Sequence, residues 1–116
     1  MQPNRRQYTR YQVAVAAEIE IEGETKIGET RDVSLGGASV SIDCQLEEER
    51  VVELALILTE DGIEDPDEEP FETRAKVIWS APCDDGRFVI GIRFVQLGDE
   101  KTAQLKRFIE AMRNNN

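Results

Sequence analysis

The chain has 116 residues, 40% apolar and 33% charged, with a formal net charge of −10 and no histidine. That length admits one modest core and not two. No apolar run approaches the ~18 residues of a membrane span and no secretory leader opens the chain, so a cytoplasmic protein that is not integral to a membrane is the expectation.

From Tyr11 to Ile21, Val13, Val15, Ala17, Ile19 and Ile21 alternate with Glu18, Glu20 and Glu22. Period two with β-branched residues on one side predicts a half-buried strand. Gly23-Glu24 reads as a turn, and a second strand is expected from Lys26 to Val33. "SLGG" at 34–37 is a tight turn, in which glycines would supply positive φ and Asp32 and Ser34 would bond the local backbone. A third strand follows, with Ala38, Val40 and Ile42 on one face. "VVELALIL", 51–58, reads as a strand buried on both faces.

The segment 60–72 holds eight acids, two prolines and no cation, which predicts a solvated loop that does not pack. Asp61, Asp65 and Glu72 match positions 1, 5 and 12 of a calcium loop, but Ile63 and Pro66 occupy positions that need a ligand and a glycine, so no metal is expected. "TRAKVIW", 73–79, and "RFVIGIRFV", 87–95, are two more alternating strands, the last with Phe88, Ile90, Ile92 and Phe94 inward. Trp79 shares parity with Ala75 and Val77, which predicts a place in the core or at its rim. After Gly98 the period changes: Leu105, Phe108, Ile109 and Met112 form the stripe of an amphipathic helix, with Gly98 or Asp99 as its cap. Six strands and a closing helix predict a mainly β fold, an antiparallel barrel with a C-terminal helix packed on it.

Catalytic chemistry is not evident. Without histidine there are no His-dependent triads and no His metal clusters. Phosphate-binding glycine loops are missing too, and an enzyme is not expected. Cys44 and Cys83 form no C-x-x-C and read as separate thiols.

Charge is uneven. Residues 1–17 hold Arg5, Arg6 and Arg10 and no acid, while residues 18–116 hold 11 basic and 24 acidic residues, a balance of −13. A nucleic-acid polymer would be repelled by most of this surface. A compact anion sees only the local field, because charges beyond ~8 Å are largely screened at physiological salt. The other distinctive stretch is "DVSLGG", with Asp32, Ser34 and Gly37 in the pattern D-x-S-x-x-G. Guanidinium forks match phosphate oxygens and stack on bases. A carboxylate accepts two hydrogen bonds from a guanine edge, which adenine cannot offer. Together these chemistries point to a guanine nucleotide.

R-x-x-x-R at Arg6 and Arg10, followed roughly 20 residues later by D-x-S-x-x-G, resembles the signature of the PilZ domain family. The strand count, the "VIW" and "GIRF" strands and the closing helix resemble it as well. The resemblance implies a six-stranded barrel that serves as a receptor for the bacterial second messenger cyclic di-GMP. It divides the chain into a flexible arm (1–12), the barrel (13–97) and the helix (98–113) of one PilZ domain. Arg6 and Arg10 would clamp phosphates and stack on guanine; Asp32 and Ser34 would read a guanine edge, with Gly36 and Gly37 giving it room. Arg5 resembles the extra arginine of members that hold an intercalated pair of ligands, and some relatives place a Trp, here Trp79, beside the ligand. With no second domain expected, output would pass through a changed surface to an effector protein of motility, pili, biofilm or exopolysaccharide synthesis. The alternative is a PilZ-like protein-interaction module that does not sense nucleotide.

Overall fold

The computed structural model describes residues 9–59 and 69–114. Its strands are β1 (Tyr11–Gln12), β2 (Ala16–Ile21), β3 (Glu24–Val33), β4 (Gly37–Ile42), β5 (Val51–Leu56), β6 (Phe71–Pro82) and β7 (Phe88–Val95), and helix α1 spans Asp99–Asn114. Pairing is antiparallel throughout. The order β1-β3-β2-β5-β6-β7-β4, with β3 also paired to β4, closes β2–β3–β4–β7–β6–β5 into the six-stranded barrel the alternation predicts. Inside lie Val15, Ala17, Ile19, Val33, Val40, Ile42, Leu54, Leu56, Ala75, Val77, Ile90 and Ile92, and the helix stripe Leu105, Phe108 and Ile109 joins the same core. The Gly98 carbonyl accepts the Thr102 N–H, so Gly98 caps α1, and Asp99 and Glu100 sit in its positive first turn. Both cysteines are free and half-buried.

Several expectations need correction. The strand from Tyr11 to Ile21 is broken at residues 13–15. There the buried Thr30 hydroxyl takes the place of a ladder partner, accepting the Val15 N–H at 2.9 Å and donating to the Val13 carbonyl at 2.6 Å. The segment 51–58 is not buried on both faces: Val51 is 54% exposed and Glu53 is exposed, while Val52, Leu54 and Leu56 point inward. A single-walled barrel leaves each strand an outer side in water. Finally, the acidic segment packs at its end. Residues 60–68 lie outside the described residues, but Phe71 opens β6 fully buried, edge-on to Phe94 with ring centroids 5.3 Å apart. Gln104 of α1 donates to the Glu69 carbonyl at 2.9 Å.

Two ladders carry one extra residue each. Thr30 faces Val40 but Asp32 faces Ser39, which makes Arg31 a bulge in β3. Val77 faces Ile92 but Trp79 faces Gly91, which makes Ile78 a bulge in β6. Because side chains alternate with period two, one extra residue sends every following side chain to the other face. Trp79, expected on the side of Ala75 and Val77, is therefore on the outside.

Thr30→Val leaves the Val15 N–H and the Val13 carbonyl without their shared partner and should cost about 1–3 kcal/mol, read as a lower urea midpoint. Phe71→Ala should cost about 3–5 kcal/mol in the same experiment. A loss below about 1 kcal/mol would mean that Phe71 belongs to the solvated loop after all.

Candidate functional site

The D-x-S-x-x-G segment joins β3 to β4 and is held by its own serine. The Ser34 hydroxyl accepts the N–H groups of Gly36 at 3.1 Å and Gly37 at 3.2 Å and contacts the Gly37 carbonyl at 3.3 Å. The Ser34 N–H donates to the same carbonyl at 2.8 Å, and the Phe94 N–H donates to the Gly36 carbonyl at 3.0 Å. Ser34 is buried, so its hydroxyl faces the turn before it faces any ligand. Neither Gly36 nor Gly37 has positive φ, a departure from the expected turn chemistry. Gly37 is needed for close approach: a β-carbon there would collide with the Ile92 carbonyl oxygen across the ladder.

The register beside this turn lines up a row on the outer wall. Gln12 faces Asp32, Asp32 faces Ser39, Ser39 faces Gly91 and Gly91 faces Trp79. With strands about 4.8 Å apart, Asp32 and Trp79 stand about 14 Å apart along the sheet. Between them the floor is made of Ser39 and Gly91, two small residues that are themselves buried, the second beneath the Trp79 indole. The Trp79 indole lies across Gly91 so closely that any β-carbon there would strike its Nε1 and Cε2 atoms. One side of the ring is packed down; the side chain is still 37% exposed. The row thus offers a half-buried carboxylate at one end and an aromatic plate at the other.

A second outer row lies one step nearer the turn. Gly37 faces Arg93, Arg93 faces Lys76 and Lys76 faces Val51. Arg93 is exposed. Lys76 Nζ contacts a Glu49 carboxylate oxygen at 2.6 Å. The Lys76 hydrogen bond, and then its charge and that of Arg93, hold the Glu49 carboxyl below the usual carboxylate range. On the other side of the floor, Arg87 donates from Nε to the Ser41 hydroxyl and from Nη2 to the Ser41 carbonyl, both at 3.1 Å. The bulged Arg31 reaches Cys83 Sγ at 4.0 Å.

Of the residues singled out in the sequence, Arg5 and Arg6 lie outside the described residues. Arg10 is exposed and immediately precedes β1; continuing the β1–β3 register by one residue puts it opposite Ser34. Arg10, Asp32, Ser34, Gly36 and Gly37 therefore share one end of the barrel, and Trp79 joins them through the row just described. Sequence reasoning missed Arg93, Lys76, Glu49 and Gly91. The "GIRF" parity placed Gly91 and Arg93 outward, but only the cross-strand register shows what they face. A flat aromatic, a carboxylate and several cations around a floor of small residues can stack a base, read its polar edge and hold phosphate oxygens.

The PilZ domain family model matches residues 4–111. No curated protein sequence matches the chain. Among solved structures, the inhibitor of motility MotI/DgrA of Bacillus subtilis aligns with a TM-score of 0.77 at 19% identity, over 98% of this chain and 54% of that one. YcgR from Escherichia coli in complex with c-di-GMP aligns with a TM-score of 0.78 at 19% identity, over 96% and 47%. MrkH of K. pneumonia, described as a c-di-GMP-dependent transcription regulatory factor, aligns with a TM-score of 0.74 at 11% identity, over 97% and 52%. At these identities the likeness is one of fold, and the chain spans about half the length of each of the three. With a barrel, closing helix and paired motifs matched by the family model over nearly its whole length, the chain belongs to the PilZ domain family.

Proposed function

We propose that this chain is a receptor for cyclic di-GMP, and not an enzyme, with its ligand lying on the outer face of β3, β4, β7 and β6. The observation that carries the reading is the row from Asp32 to Trp79 beside the D-x-S-x-x-G turn, at the barrel end to which Arg10 leads. In this reading Arg6 and Arg10 clamp phosphate and stack on guanine, and Asp32 accepts hydrogen bonds from a guanine N1–H and N2–H edge. Trp79 stacks on a base. Ser34 acts chiefly as a positioning residue, since its hydroxyl already holds the turn that sets Gly36 and Gly37 against the ligand. Arg93, exposed beside Gly37, adds a cation for phosphate.

Magnitudes agree with a signalling affinity. Each charge-assisted hydrogen bond contributes roughly 1.5–3 kcal/mol, and stacking adds about 1–3 kcal/mol per base. Three or four such contributions, less the cost of ordering the segment before β1, leave about −8 kcal/mol, a micromolar dissociation constant. The YcgR and MrkH structures determined with c-di-GMP support this choice of ligand. The acidic balance of residues 18–116 opposes a nucleic-acid polymer as partner. Output passes to an effector protein in the cytoplasm: the ligand neutralises the arginines that precede β1, and the partner reads the changed surface. Such a shift is bounded by the ligand's differential affinity for the two states of that surface. The likeness to the inhibitor of motility MotI makes a motility target a natural first candidate.

Calorimetry with cyclic di-GMP should give a micromolar dissociation constant, with two nucleotides per chain if Arg5 supports an intercalated pair and one in Arg5→Ala. Arg10→Ala and Asp32→Ala should each weaken binding about 10- to 100-fold, and Arg10→Ala should leave the melting temperature of the free protein unchanged. No heat from the wild-type protein would leave the interaction-module alternative in its place.

Trp79 is the only tryptophan, so its fluorescence reports the site directly. Cyclic di-GMP should quench it. Gly91→Ala should lift the indole off the wall, shift its free-state emission to the red and weaken binding about tenfold, the loss of one stacked base. Unchanged emission on saturation would remove Trp79 from the site.

A further inference from the structure

We propose that Glu49 is a resident anion beside the opposed cations Lys76 and Arg93, a placeholder that a ligand phosphate must displace from Lys76, so that this one carboxylate tunes the affinity of the site. The inference rests on the receptor reading above and concerns how that site is tuned.

Lys76 and Arg93 are directly opposed on neighbouring strands. Like charges so placed repel and call for an anion between or above them. Glu49 supplies it, with its carboxylate 2.6 Å from Lys76 Nζ. The backbone aims it there. Glu49 sits in the left-handed region at φ 73°, sparsely populated for a residue with a side chain. Its N–H donates to the Val77 carbonyl at 2.8 Å, while the Val77 N–H donates to the Arg50 carbonyl at 2.8 Å. The connection before β5 is thereby pinned to β6 one residue ahead of the Ile78 bulge, beside the start of the Trp79 row.

The side chain itself is held loosely. Glu49 is 74% exposed and Lys76 31% exposed, and an ion pair that open contributes little to the fold. Release of the carboxylate therefore costs the protein little. Its partners are not loose in the same way, because Arg93 faces Gly37 of the D-x-S-x-x-G motif and borders the Ser39–Gly91 floor. A phosphate arriving on that floor meets Arg93 together with a Lys76 already paired to a group of its own chemical class. The depressed Glu49 carboxyl is the mark of that same positive field.

Intramolecular competition lowers apparent affinity by the fraction of molecules in which the cations are free. For an exposed pair that fraction corresponds to about a threefold effect. Calorimetry on Glu49→Gln should accordingly show cyclic di-GMP binding about threefold tighter than wild type, with a steeper salt dependence, because no carboxylate is released in exchange. Lys76→Gln should bind about threefold more weakly, and Glu49→Gln should add nothing in that background. Equal or weaker binding by Glu49→Gln overturns the inference, as does a gain that persists without Lys76 or an unchanged affinity in Lys76→Gln. Those results would leave the receptor reading intact, whereas a wild-type protein that takes up no cyclic di-GMP removes that reading itself.

Discussion

A closed barrel wall allows each strand only two directions for its side chains, and the candidate site exists because that alternation is broken twice. In β3 the inward residues are Gly28 and Thr30, so an unbroken strand would bury Asp32 in the apolar interior. The extra Arg31 turns Asp32 outward and Val33 inward, where Val33 is fully buried. In β6, Ala75 and Val77 point inward, and an unbroken strand would have carried Trp79 with them. The extra Ile78 turns it out over Gly91. An ionised carboxylate in a dry barrel would be prohibitively costly, so the first bulge is a condition of folding as well as of display. The two bulges lie on strands separated by β4 and β7, and those intervening strands contribute Ser39 and Gly91. A wall with larger residues at these two positions would carry the same end groups with no floor between them.

The turn next to this wall shows why motif residues resist division into structural and functional. Ser34 satisfies two backbone N–H groups, those of Gly36 and Gly37, that the three-residue connection from β3 to β4 would otherwise leave unpaired near the core. Gly37 is small because β7 passes behind it, and its neighbour Gly36 binds the Phe94 N–H. These contacts lock β3, β4 and β7 into one rigid corner. A ligand touching that corner meets geometry already fixed by folding, which lowers the ordering cost of binding. The β1 edge is the contrasting part: among the described residues it pairs with β3 through Tyr11 and Gln12 alone, directly after Arg10.

How much of this was legible depended on whether the determinant was local. The alternation at 16–21, 38–42 and 88–95, the strand expected from Lys26 to Val33 and the i, i+3, i+4, i+7 stripe of α1 rest on local patterns, and the structure bears them out as elements. Phe71 was misassigned because the acids before it dominated the composition, although its burial depends on Phe94, distant in the chain. Val51 was misassigned because seven apolar residues interrupted only by Glu53 cannot tell a strand buried on both sides from one whose outer residues merely happen to be apolar. The bulges left no trace, since neither Arg31 nor Ile78 is a glycine or a proline. The Asp32–Trp79 row and the opposition of Lys76 to Arg93 depend on register across four strands, which no short stretch encodes.

Electrostatics then explains how so acidic a chain can offer a site for an anion. At physiological salt a charge is felt over about 8 Å, so the carboxylates of the outer β2 face do not cancel cations across the barrel. What matters is the local balance on the β4–β7–β6 face. There Arg93 and Lys76 are countered by Glu49, and Arg87 is tied to Ser41. In the proposed reading a compact phosphate ester would stay within that neighbourhood, whereas a polymer would extend beyond it on to carboxylates. Under the receptor reading proposed above, selectivity for a small ligand over a nucleic acid would follow from the size of the cationic patch relative to the screening length.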